Sequence, residues 1–139
     1  MIRNSMKGGL VVLALAGAAS VAFADPAGGP KAFSTLEAGL WEIKGVGSDM
    51  SVHKLCVSDM RQLLQPLQIQ PMCKQFIAED AADYVTASFD CAAQGQGRTS
   101  VRVETSRLVQ IDSQGISGGR PFAARMEGRR VGLCQGALR

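Results

Sequence analysis

The chain has 139 residues, of which 15 are basic and 12 acidic, and its net charge at neutral pH is +3. Two of the basic residues, Arg3 and Lys7, lie in the first 24 residues, so the remainder carries 13 basic against 12 acidic residues. A chain of this length forms one small domain, and a nearly neutral domain gives no electrostatic indication of nucleic-acid binding.

Residues 1–24 have the features of a cleavable export signal. A short basic segment precedes an apolar run over residues 10–19, and Ala22 and Ala24 match the Ala-x-Ala pattern that signal peptidase reads. The run is too short to span a membrane comfortably, because a spanning helix needs about 20 apolar residues. We expect cleavage after Ala24, a location in the periplasm or outside the cell, and no transmembrane span in the mature chain.

The rest of the chain divides into a lead-in and one domain. Residues 25–36 contain two prolines and two glycines, which predicts a flexible lead-in. Residues 37–139 are predicted to be a single disulfide-stapled β domain. Apolar and polar residues alternate there with period two, as in half-buried strands, around residues 41–44, 85–91, 100–104 and 122–127.

One segment interrupts the alternation. Ser58 is placed to cap a helix, and the apolar residues Met60, Leu63, Leu64 and Leu67 then follow at helical spacing until Pro66 and Pro71 end it. We expect this short helix to cover the core of the sheet. The predicted fold is therefore mainly β: a curved or partly closed antiparallel meander with one short helix between its second and third strands.

The four cysteines, Cys56, Cys73, Cys91 and Cys134, are an even number in a small exported domain, which indicates two disulfides. We favour Cys56–Cys73 and Cys91–Cys134, because the first bridge would close off the inserted helix at its base. A hairpin turning at residues 80–83 would instead place Cys73 nearly opposite Cys91, so a Cys73–Cys91 bridge is the alternative. The absence of a Cys-x-x-Cys pair argues against zinc and against a redox dithiol.

Several short motifs resemble one family. Residues 37–42 (Glu-Ala-Gly-Leu-Trp-Glu) resemble the Pro-Gly-Leu-Trp-Glu start of a family of small exported bacterial proteins, the domain of unknown function 3617. The resemblance continues through residues 55–59, Cys73-Lys74 and Cys91, and closes at residues 126–134. Ala38 and Leu133 depart from the family pattern without changing the cysteines. The resemblance implies export and a disulfide-bonded β domain, and it implies no activity.

The sequence contains no recognisable catalytic constellation. His53 is the single histidine, it lies in a strand-like stretch, and no Gly-x-Ser-x-Gly motif accompanies it. Paired carboxylates for sugar hydrolysis would have to come from Glu42, Glu79, Glu104 and Glu127, which look like the solvated faces or ends of strands. We therefore predict no catalytic, cofactor-binding or metal-binding residues.

Charge is distributed unevenly along the chain. Residues 25–97 hold five basic and nine acidic residues, whereas residues 98–139 hold eight arginines and three acidic residues. The interpretation we favour is that acidic and basic strands pair across the sheet. The alternative is an interaction face that docks an acidic partner, for which the candidates are Arg120, Arg125, Arg129 and Arg130.

Three functional hypotheses follow. The first, which we favour, is a non-catalytic binding or interaction module of the cell envelope, whose partner would be an envelope protein or an anionic envelope component. The second is a small inhibitor of an extracytoplasmic enzyme, with residues 116–121 as the protruding loop. The third is a hydrolase that depends on His53. None of the three involves nucleic acid or a cofactor.

Overall fold

A single antiparallel sheet of seven strands dominates the computed structural model, which describes residues 29–47, 51–67 and 73–135. The strands are β1 (Gly39–Gly45), β2 (Val52–Val57), β3 (Lys74–Asp80), β4 (Tyr84–Asp90), β5 (Gly95–Thr105), β6 (Leu108–Ser117) and β7 (Arg120–Gly132). Three short 3-10 helices accompany them: η1 (Lys31–Phe33), η2 (Met60–Leu64) and η3 (Ala92–Gln94). The prediction of a mainly β domain is confirmed. The predicted signal, residues 1–24, lies outside the described residues.

The strand order is β2-β1-β7-β6-β5-β4-β3. Strands β3 to β7 form a meander, because each pairs with the next along the chain. The order departs from a simple meander at β1, which pairs with β7 as well as with β2. As a result β2 and β3, which are consecutive in the sequence, lie at the two edges of the sheet, and the chain must cross the sheet between them.

The crossing segment contains η2, where the sequence predicts a helix. Asp59, rather than Ser58, is the N-cap: its carboxylate accepts a hydrogen bond from the Arg61 backbone N–H at 3.0 Å. The Gln62 side chain accepts in return from the Asp59 backbone N–H at 3.1 Å. The segment is a 3-10 helix of five residues instead of an α-helix, and no α-helix occurs among the described residues. Pro66 follows two residues later and prevents the helix from continuing.

The sheet is curved. Three strands separate β2 from β5 in the sheet, yet η2 contacts both. Four strand spacings of about 4.8 Å each correspond to roughly 19 Å in a flat sheet, whereas a five-residue 3-10 helix spans only about 10 Å. The sheet therefore curves around η2, and the face that it turns toward η1 and η2 is called the inner face below.

The core lies on the inner face. Trp41 and Ile43 of β1 are fully buried there, together with Leu63 and Leu64 of η2. The other buried apolar side chains of this layer are Ala32, Phe33, Val57, Val85, Ala87, Val101, Val109, Ile111 and Met126. Ala32 and Phe33 belong to the predicted flexible lead-in. Its described part, residues 29–36, instead packs into the core.

The disulfides are Cys56–Cys134 and Cys73–Cys91, with Cα–Cα distances of 5.5 and 4.7 Å. The favoured pairing, Cys56–Cys73 and Cys91–Cys134, is wrong, and the alternative bridge is the one that forms. The reason is the crossing: Cys56 and Cys73 flank the segment that runs from one edge of the sheet to the other. The bridges that form join cysteines 78 and 18 positions apart in the sequence. In the chain-entropy model, closing loops of these lengths stabilises the fold by about 4.5 and about 3 kcal/mol.

Candidate binding surface on the outer face of the sheet

Alternate residues of β5 point to opposite faces of the sheet. Thr99 and Val101 are fully buried on the inner face. Arg98, Ser100 and Arg102 therefore project from the opposite side, called the outer face below. η1 and η2 pack against the inner face, and on the outer face both arginines are exposed.

Neighbouring strands surround these three residues with polar side chains. On β4, Ser88, Thr86 and Tyr84 stand opposite Arg98, Ser100 and Arg102 in turn. On β6 the opposite residues are Gln114, Asp112 and Gln110, and on β7 the next residues are Ala123, Arg125 and Glu127. Because directly opposite residues of antiparallel strands share a face, the pairing builds a polar surface four strands wide.

A hollow of about 500 Å³ lies in this surface. Ser100 and Ala123 have short side chains and line the hollow, while longer side chains surround them. The residues of its wall include Val46, Arg98, Asp112, Gln114 and Arg125. This volume falls within the range of sites that bind small molecules, and the hollow opens to solvent because most of these side chains are exposed.

The two arginines of the hollow differ in their electrostatic surroundings. Arg125 is paired, since its Nε donates to the Asp112 carboxylate at 3.2 Å. Arg98 forms no ion pair with any residue that the structure describes, and its cross-strand neighbours Ser88 and Gln114 are uncharged. Among the described residues, Arg98 is therefore the arginine of the hollow that no carboxylate neutralises.

A hydroxyl network borders the hollow. Thr86 Oγ1 and Ser100 Oγ are 2.9 Å apart, close enough for a hydrogen bond. Hydrogen bonding of Tyr84 with Ser100, and secondarily with Thr86, lowers the pKa of the Tyr84 phenol below its ordinary value of 10.0, and the positive charge of Arg98 acts in the same direction. The hydrogen bond with Thr86 holds the Ser100 hydroxyl at the edge of the hollow.

The structure places the four arginines predicted to form one face on different parts of β7. Arg125 and Arg129 lie on the outer face, and each pairs with a carboxylate, Arg129 with Glu127 at 3.2 Å. Arg130 stands opposite the buried Trp41, its side chain is 14% exposed, and its Nε donates to the Ala38 carbonyl at 2.8 Å. Arg120 is exposed at the β6–β7 turn. Two of the four, Arg125 and Arg129, therefore share the outer face, and Arg120 and Arg130 lie apart from them.

Sequence reasoning did not single out Arg98 or Arg102. A signal was available, because Arg98, Ser100 and Arg102 alternate with Thr99, Val101 and Val103 as an outer face should. Arg98 and Arg102 stand opposite uncharged residues of β4 and β6, whereas Arg125 and Arg129 of β7 pair with carboxylates. This difference depends on which strands are neighbours in the sheet.

The residues considered for catalysis are distributed over five strands. His53 is exposed on the edge strand β2, opposite Ile43. Glu42 stands opposite Lys54 and Arg129, while Glu127 stands opposite Lys44 and Gln110. Glu79 and Glu104 are exposed on β3 and β5. Within residues 29–47, 51–67 and 73–135, His, Cys, Asp and Glu form no group of three or more that could hold a metal ion.

The segment proposed as an inhibitory loop is a tight hairpin turn between β6 and β7. Gly118 and Gly119 have φ angles of 57° and 76°, which suits the two-residue turns that match the twist of a hairpin. The Gly118 backbone N–H donates to the Gln94 carbonyl at 3.0 Å, so the turn is held against η3. Ile116 beside it is 45% exposed.

In the described part of the chain, no helix is long and apolar enough to cross a membrane.

Comparison with known proteins agrees with the motifs. A family model described as "Protein of unknown function (DUF3617)" matches residues 36–134, well over half of the chain. The matched region begins just before β1 and ends at Cys134, so it includes the whole sheet and both disulfides. Neither a curated protein nor a solved structure matches the chain significantly. The chain belongs to the DUF3617 family, a family of proteins of unknown function.

Proposed function

We propose that the chain is exported and acts as a non-catalytic binding module of the cell envelope, with the outer-face hollow as its binding site. Two disulfides and no free cysteine among the described residues support an oxidising compartment such as the periplasm. The signal-like residues 1–24 support the same location.

The observation that carries the binding proposal is the guanidinium of Arg98, which forms no ion pair with a described residue, on the wall of a polar hollow. A guanidinium donates two parallel hydrogen bonds to a carboxylate or phosphate, which makes arginine the preferred side chain for such anions. Gln114 and Ser100 on the same wall offer further donors and acceptors. The expected ligand therefore has one anionic group and several hydroxyls.

An acidic saccharide of the envelope fits this description best. The hollow holds about 500 Å³, enough for one or two sugar units, and its wall is polar apart from Val46 and two alanines. Insertion into a lipid surface would need exposed apolar side chains around the cation, and Val46 is the one large apolar side chain here. We therefore place acidic glycans ahead of lipid headgroups.

The test is calorimetric titration at low ionic strength with a hexuronic-acid trisaccharide, and with a neutral trisaccharide of the same size as control. We expect binding of the acidic sugar that weakens with salt. Arg98→Gln should weaken it at least about tenfold, since a hydrogen bond to a charged group contributes about 1.5–3 kcal/mol. The matched control is Arg120→Gln, which removes the same charge from an exposed residue outside the hollow and should leave the affinity unchanged.

Equal loss in the two variants would show that net charge, rather than the hollow, binds the sugar. Absence of binding even at low ionic strength would contradict the proposal. Binding to anionic lipid vesicles but to neither sugar would replace the saccharide by a membrane surface.

The alternative function, inhibition of an extracytoplasmic enzyme, would use residues 116–121. The exposed Ile116 favours it, since an inhibitor needs an apolar side chain to insert into a partner. The turn itself is short and held by Gln94, so it offers little extended chain to an active site. For this reason the binding module is the better-supported proposal.

A further inference from the structure

One edge of the sheet is unusually apolar. Strand β3 pairs with β4 on one side and with no other described strand on its second side. Its Phe76 and Ile77 are 59% and 46% exposed. The opposite edge, β2, has an exposed Val52 followed directly by the exposed polar residues His53 and Lys54, and charged side chains are a common protection of edge strands against pairing. In β3 the charged residues stand only at the two ends.

The register of β3 places three of its residues on the outer face. Lys74, Phe76 and Glu79 stand opposite Asp90, Ser88 and Thr86 of β4. The spacing is uneven because a bulge between Ile77 and Glu79 inserts Ala78. Lys74 and Glu79 are exposed, and neither forms an ion pair within the described part of the chain.

We propose that β3 pairs with β3 of a second copy of this chain, antiparallel and centred on Phe76. A two-fold axis at Phe76 sets Lys74 of each copy opposite Glu79 of the other, because the bulged Ala78 stands outside the ladder and Glu79 is the next outer-face residue after Phe76. The same two residues therefore meet twice with opposite charges. The two Phe76 side chains meet at the centre on the outer face, an aromatic cross-strand pair of the kind that stabilises sheets. The edge N–H and C=O groups of β3, which bond to no other described strand, then become paired in both copies.

The contact is small, since it consists of one strand from each copy. Stable interfaces bury about 1,200–2,000 Å², so this edge supports a weak dimer that forms with rising concentration. The bulge limits the length of continuous pairing for the same reason. The hollow lies on β5 to β7, away from this edge, so dimer formation and sugar binding are independent of each other.

Sedimentation equilibrium of the disulfide-bonded protein, over a concentration series up to about 1 mM, tests the proposal. The average mass should rise from one chain toward two. Phe76→Lys should keep the protein monomeric. Lys74→Glu should weaken the dimer roughly tenfold, because each substitution acts twice in a symmetric pair and replaces attraction by repulsion.

The double variant Lys74→Glu/Glu79→Lys restores opposite charges at both positions and should recover the affinity of the original protein. Ile116→Lys is the matched control, since it removes an exposed apolar residue of the β6–β7 hairpin and should not change the dimer. Circular dichroism confirms that each variant is folded. A monomer at every concentration, a dimer that survives Phe76→Lys, or a double variant as weak as Lys74→Glu would each overturn the proposal.

Discussion

The two faces of β5 are built from neighbouring residues and have opposite roles. Thr99 and Val101 are fully buried against the core, whereas Arg98 and Ser100 line a hollow open to solvent. Stability therefore depends on one set of positions and the proposed binding on the other. In a domain with this division, the residues of the hollow can be replaced while the fold is kept. Replacing the buried residues lowers the stability of the fold and so removes the binding surface as well.

The largest effect is expected in the layer that the inner face covers. Leu63 is fully buried and Leu133 is 69% exposed, so the same substitution can be compared at both. Leu63→Ala should lower the free energy of unfolding by about 2–5 kcal/mol, because it removes buried methyl groups and leaves a cavity. Leu133→Ala should change it by less than about 0.5 kcal/mol. Denaturant unfolding under non-reducing conditions measures both, and similar losses would contradict the assignment of the core.

An intermediate effect is expected at the buried hydroxyl pair. Thr99 Oγ1 and Ser113 Oγ are 2.9 Å apart on the inner face. Thr99→Val keeps the shape and removes the hydroxyl, so the buried Ser113 loses its partner at a cost of about 1–3 kcal/mol. Adding Ser113→Ala should recover part of this loss. If the double variant were less stable than Thr99→Val alone, the unpaired hydroxyl would not be the cause.

The smallest effect on stability is expected for the hydroxyls of the outer face. The pKa of Tyr84 is the more specific readout there. Tyr84 is the one tyrosine of the chain, so its phenolate is followed directly by ultraviolet absorbance during a pH titration. Ser100→Ala should raise the pKa of Tyr84 toward 10.0, since the hydrogen bond to Ser100 is the main reason that this pKa is lowered. Ser88→Ala, at the neighbouring outer position of β4, should leave it unchanged. An unchanged titration in Ser100→Ala would mean that the network does not exist in solution.

The arginines of β5 and β7 show how far the sequence predicts the surface. Period-two alternation correctly predicts a mainly β domain and assigns Trp41, Ile43 and Val101 to inward positions. It also favours charge pairing across the sheet, and the Arg125–Asp112 pair between β7 and β6 is of this kind, whereas Arg129 pairs with Glu127 of its own strand. It does not predict that Arg98 lies beside uncharged residues, because that depends on which strands are neighbours.

The same dependence explains the disulfides. The predicted helix between Cys56 and Cys73 favours a bridge at its base, whereas the pairing of β1 with both β2 and β7 brings Cys56 close to Cys134. The hairpin of β3 and β4 aligns Lys74 with Asp90 and so sets Cys73 beside Cys91. Pro and Gly suggested flexibility for residues 25–36, but Ala32 and Phe33 are apolar enough to enter the core. Local pattern determines the elements, and long-range strand pairing determines which of them meet.

The proposed binding surface is the outer-face hollow. Backbone amide chemical shifts, recorded by NMR while a hexuronic-acid trisaccharide is added at low ionic strength, test it most directly. Shift changes are expected at Arg98, Ser100 and residues 112–114 and 123–125, which line the hollow, and none at residues 116–121 or in β2. Changes centred on Arg120 and the β6–β7 turn, or none in the hollow at saturation, would contradict it.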